Sequence, residues 1–121
     1  MLAWGTVWYG AALSVVVGAV LVALVPPRRP AVIAVAGLSA GLGPAAWNAI
    51  LNAVHAPGFF TDAPIAAFPV SWQDTGSGVF ALALSALALG FGPLANDPGR
   101  RTALASLLAG IGALVVDVYL Y

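Results

Sequence analysis

Every arginine in this 121-residue chain stands in one of two doublets, Arg28-Arg29 and Arg100-Arg101, and each doublet separates two long apolar runs. There is no lysine. Apolar helices of about 20 residues cross a ~30 Å hydrocarbon layer, and basic residues hold the turns between them on the cytoplasmic side. The pattern therefore predicts helical hairpins threaded through a bilayer. Composition agrees: 62% of residues are hydrophobic and 7% charged, against roughly 45–50% and 25% in a soluble domain.

Proline and glycine punctuate the chain into one membrane domain of four spans. The first, about 2–25, carries no charge and ends at Pro26-Pro27. Pro30 suits the first turn of the second span, about 31–56. Pro57-Gly58, Pro64, Pro69 and the isolated Asp62 interrupt residues 57–73, which are expected to form an external loop dipping into the interface with Phe59, Phe60, Phe68 and Trp72. The third and fourth spans are about 75–95 and 101–120, joined through Asn96-Asp97-Pro98-Gly99, with Asp97 read as an N-cap. The expected fold is all-α: a four-transmembrane-helix bundle of two helical hairpins.

Both arginine doublets fall on one side, so that side is read as cytoplasmic and both termini as outside. Trp4, Trp8, Tyr9, Trp47, Trp72, Tyr119 and Tyr121 map near the outer boundary, where amphipathic rings settle. The first span lacks a basic leader segment and reads as an uncleaved anchor. Abundant Ala, Val, Gly and Pro, with Arg in place of Lys, fits a high-GC bacterial genome, so the inner membrane is the expected location.

Sliding the chain by 72 residues superposes 3–49 on 75–121 and matches both doublets, Val7 with Val79, Gly18 with Gly90, Pro26 with Pro98 and Leu42 with Leu114. A duplicated, parallel hairpin is one explanation. The other is that short-turn membrane hairpins look alike under shared rules. Gly41-Leu42-Gly43-Pro44 and Gly90-Phe91-Gly92-Pro93 repeat a Gly-x-Gly-Pro pattern. Pro44 and Pro93 are read as helix kinks, because proline removes a donor and clashes with the preceding turn. Fraying at a helix end is a further reading of the second copy.

Polar residues gather toward the outer side. Asn48, Asn52 and His55 are spaced i, i+4, i+7, on one face of the second helix. By the rise per residue Asn48 lies ~27 Å above the cytoplasmic turn. Asp117 lies roughly 22 Å up the fourth helix, where a carboxylate costs a few kcal/mol unless paired, hydrated or protonated. Asn52 and His55 are the groups expected to meet it, with Gln73 and Asp74 closing the outer side. The bland alternatives are an interfacial helix end for the stripe and a reach to outer water for Asp117. Asp74-Thr75-Gly76-Ser77 matches an aspartic-protease signature, but it opens an apolar helix and has no second copy. Ser71 and Asp74 fit a capping box instead.

Zero net charge gives no footprint for nucleic acid. Without Cys, Lys or Glu there is no thiol chemistry, retinal-type Schiff base or intramembrane glutamate, and one His cannot ligate haem on both faces. No cofactor or metal is expected. Two functions remain in front. One is a non-catalytic membrane subunit packing through Gly/Ala-rich helix faces, as a homo-oligomer or within a larger complex. The other is a small oligomeric transporter or channel with an outward-facing pocket of Asn48, Asn52, His55, Gln73, Asp74 and Asp117. A membrane enzyme ranks third, with His55 and Asp117 or Asp74 as its acid–base pair.

Overall fold

The computed structural model describes residues 3–26, 28–55, 57–65 and 67–119. They form four α-helices, α1 (Trp4–Ala23), α2 (Pro30–Val54), α3 (Trp72–Gly90) and α4 (Gly99–Tyr119), with a single 3-10 turn at Pro57–Phe60 and no strand among the described residues. Three of them, α1, α2 and α4, are long and apolar enough to cross a membrane. The first turns of α3 carry the polar residues Gln73, Asp74, Thr75 and Ser77, and that helix is not among the three.

Local chemistry sets the helix ends. Arg28 Nε donates to Ala23 O at 2.7 Å, so a cation covers a terminal carbonyl of α1. Pro30 opens α2 at a position where a missing N–H costs nothing. The Ser71–Asp74 capping box forms, starting α3 three residues earlier than residue 75. The same helix stops at Gly90, short of residue 95. Pro93, expected as a kink, lies in the turns that follow, and Leu94 N instead donates to Leu89 O at 2.9 Å. Pro44 does lie inside α2, where its nitrogen offers no hydrogen to Ala40 O.

Each helix packs against its neighbours in chain order, α1 also against α4, and α2 reaches across to α4. Small residues make up much of the interior between them. Ala36, Ala40, Ala81, Ala109 and Ala113 are wholly buried, while Val16, Leu24, Leu38, Leu87, Phe91 and Leu107 point outward. Helix axes come so close that a Cβ at Gly43 would lie 2.5 Å from Ala81 N, and one at Gly112 would lie 3.2 Å from Gly18 Cα. Only glycine allows backbones to approach in this way.

The two short turns meet at one end of the bundle. Arg29 Nη1 and Arg101 Nη1 hold opposite oxygens of Asp97 at 3.0 and 2.8 Å, and Arg29 Nη2 donates to Pro93 O at 2.6 Å. Asp97 is thus a clasp between turns rather than an N-cap. The Arg29 hydrogen bond, reinforced by Arg101, holds its carboxyl below the ordinary value of 3.8. Beneath the clasp, Val22, Val32, Ala36, Leu89, Leu94 and Ala105 form an apolar cluster.

Candidate functional site

At the opposite end, three helices converge on the side chain of Gln73, the second residue of α3. Its amide nitrogen donates to Asn48 Oδ1 of α2 at 3.1 Å and to Asp117 Oδ2 of α4 at 3.1 Å. Ser77 Oγ, one turn along α3, is a more distant acceptor at 3.4 Å. All three main partners are buried, with Gln73 5%, Asn48 1% and Asp117 4% exposed.

Donor and acceptor logic fixes the orientation of the amides. Asp117 Oδ2 is an acceptor in this arrangement, so Gln73 turns its NH₂ toward it. The same NH₂ then requires an oxygen from Asn48. That leaves the Asn48 nitrogen free to donate to Pro44 O at 2.9 Å. Trp47 Nε1 donates to the main-chain oxygen of Gln73 at 3.0 Å, tying α2 to α3 a second time. Its ring lies directly against Gly76, where any side chain would collide with it. Phe59 and Phe80 pack on the same ring at 5.9 and 5.1 Å between centroids.

Gln73 and Asp117 of this network line a cavity of about 170 Å³, together with Phe60, Asp62, Ser71 and Asp74, whereas Asn48 lies behind them and does not line it. A second recess of about 310 Å³ adjoins it and shares Asp62 and Ser71. Asp74 has a structural duty there: its Oδ2 accepts from Ser71 N at 2.9 Å, and Ser71 Oγ accepts from Asp74 N at 3.2 Å. The loop between α2 and α3 folds over this end. Ala63 N donates to Val70 O at 2.7 Å, the Tyr119 hydroxyl donates to Ala67 O, and the Phe68 and Tyr119 rings lie 6.2 Å apart.

Side-chain charge is divided between the two ends. The chain has four arginines and four carboxylates. The arginine end carries all four Arg and Asp97, or 4 − 1 = +3. The other three carboxylates, Asp62, Asp74 and Asp117, line the cavity at the far end, formally −3. Among the described residues no group of three or more His, Cys, Asp or Glu side chains is arranged to hold a metal ion.

The polar stripe on α2 is shorter than its spacing implies. Asn48 joins Asp117 through Gln73, and Asn52 is half-buried one turn further on. His55 is not on the stripe. It ends α2 in the left-handed conformation, φ 51° and ψ 67°, and is exposed, because the helix stops before the i+7 position is reached. Among the described residues no ion pair joins His55 to Asp117; the two ion pairs are those of Asp97. Ser77 and Asp62 are among the participants not expected from the sequence, with Trp47, Phe60 and Val118. Ser77 had a signal, standing i+4 from Gln73 on the same helix face, whereas Asp62 comes from a loop whose path nothing in the sequence specifies. No family model matches this chain, and no curated protein or solved structure matches it either.

Proposed function

We propose that the chain is an integral membrane protein of four spans, with the arginine turns cytoplasmic, both termini outside and an outward-facing pocket that binds a small cationic solute. It belongs to the transporter or channel class and works as an oligomer. The observation that carries this reading is the buried Asp117 carboxylate, the one acidic residue of α4, held by Gln73 against Asn48. Carboxylates at membrane depth are costly to retain and mark solute or proton paths. Two further features support it. Alanine supplies much of the interior while many large aliphatic side chains face outward, a pattern that suits a bundle in lipid. The pocket lining contains carboxylates and no cationic side chain.

A packing subunit without ligand is the competing function. Its Gly/Ala faces are largely taken up inside the chain, at Gly18, Gly41, Gly43 and Gly112, which weakens it. The test is equilibrium binding to protein in lipid nanodiscs, with guanidinium and methylammonium as probes and acetate as the anion control. Cation binding that disappears in Asp117→Asn supports the pocket. Absence of cation binding, or equal binding by Asp117→Asn, returns the chain to the packing class.

A further inference from the structure

The arginine end has a cleft of its own. It lies between α1, α2 and α4, walled by Val22, Val32, Leu104 and Leu108 and completed by Arg29 and Arg101. The cleft is shallow and narrow, with a volume of about 60 Å³, smaller than either cavity at the other end. A linear aliphatic group would therefore lie along it rather than inside it.

The charge at this cleft is unbalanced. Arg29 and Arg101 share the single carboxylate of Asp97, leaving 2 − 1 = +1 at the lining itself. Arg28 and Arg100 stand beside them in the same two turns. A guanidinium has five N–H donors, and these side chains remain 41% and 44% exposed after their bonds to Asp97 are made. An aliphatic wall next to under-neutralised guanidiniums matches one chemistry: an anionic phosphate head joined to a hydrocarbon chain. Planar guanidinium forks suit phosphate oxygens, and basic pockets between cytoplasmic helix ends are suited to anionic lipid headgroups.

We propose that this cleft binds one anionic phospholipid per chain, its phosphate on Arg29 and Arg101 and one acyl chain along Val32, Leu104 and Leu108. A free phosphate would satisfy the guanidiniums and leave the aliphatic wall bare. The inference rests on the membrane-spanning reading and is independent of the pocket at the other end.

Native mass spectrometry of the full chain from mild detergent, titrated with phosphatidylglycerol or phosphatidylcholine, tests it. One phosphatidylglycerol should be retained per chain, with a preference of about tenfold or more over phosphatidylcholine. Arg29→Gln with Arg101→Gln should abolish that preference. Arg28→Gln with Arg100→Gln, which removes equal charge outside the cleft, should preserve it. Leu104→Trp should lower retention by filling the wall. Because the first pair also unties Asp97, Asp97→Asn provides a second route: it releases both guanidiniums and should raise retention. Equal retention of the two lipids, equal loss in both arginine pairs, or displacement by millimolar inorganic phosphate would overturn the site. Resistance of the wild-type chain to carbonate extraction is measured alongside, so that failure of membrane insertion is distinguished from failure of the lipid site.

Discussion

Gln73 and Asp117 are 44 residues apart in the chain and 3.1 Å apart in space, amide nitrogen to carboxylate oxygen, both buried. One side chain thereby joins α2, α3 and α4. Gln73→Ala would leave Asn48 Oδ1 and Asp117 Oδ2 without that donor, at about 1–3 kcal/mol for each buried group left unsatisfied. The expected outcome is a clear loss of thermal stability in detergent. Gln73→Glu should be worse at neutral pH and partly recover in acid, since two adjacent carboxylates cannot both ionise cheaply. An unchanged melting temperature for both variants would mean the network carries little weight.

His55 tests the border of the site. Its left-handed backbone costs an L-residue about 1–2 kcal/mol that glycine avoids. His55→Gly is therefore expected to raise stability slightly and to leave cation binding intact. Loss of binding in this variant would restore His55 to the pocket.

Asp97 sets an acid limit on the other end. Its folded pKa lies below its ordinary value, so the clasp contributes fully above the unfolded value of 3.8 and is lost as pH falls through the folded one. Thermal unfolding of the wild type should weaken below about pH 4. Asp97→Asn should be less stable at neutral pH, and the gap between the two proteins should close in acid. A gap that persists at the lowest pH would show that the clasp does not act through its charge.

How much of this was legible in the sequence depends on whether a feature is local. The apolar runs and the Pro-Arg turns marked out four helices, and the Ser71–Asp74 spacing announced its own capping box. The end of α3 was missed because Gly90 and Pro93 were read within a continuing helix, whereas Leu94 folds back to bond Leu89. His55 was misplaced for a similar reason: the i+7 spacing presumes a helix that in fact ends at Val54. Neither the hub role of Gln73 nor the Asp97 clasp can be read locally. Each depends on segments brought together only by packing of the whole bundle.

That packing makes its own prediction. Gly43→Ala places a methyl 2.5 Å from the Ala81 main-chain nitrogen, where backbone on both sides cannot yield. A loss of about 1–3 kcal/mol is expected from overpacking. Gly58→Ala meets nothing within 4 Å and should change stability little. Equal effects of the two substitutions, read by unfolding in detergent, would mean the helices are less closely packed than described.

Absence of cysteine from the chain allows one reporter thiol at a time, and Val118, which lines the cavity beside Asp117, is the most direct place for it. Val118→Cys leaves the Gln73–Asp117 bond in place, and Gly99→Cys marks the arginine end. In intact cells, a membrane-impermeant cationic thiol reagent should label Val118→Cys faster than an anionic one, by about tenfold from electrostatic focusing, and guanidinium should slow the reaction. Gly99→Cys should react only after the membrane is opened. Labelling of Val118→Cys only after permeabilisation, or without preference for the cationic reagent, would contradict an outward-facing pocket built on Asp117.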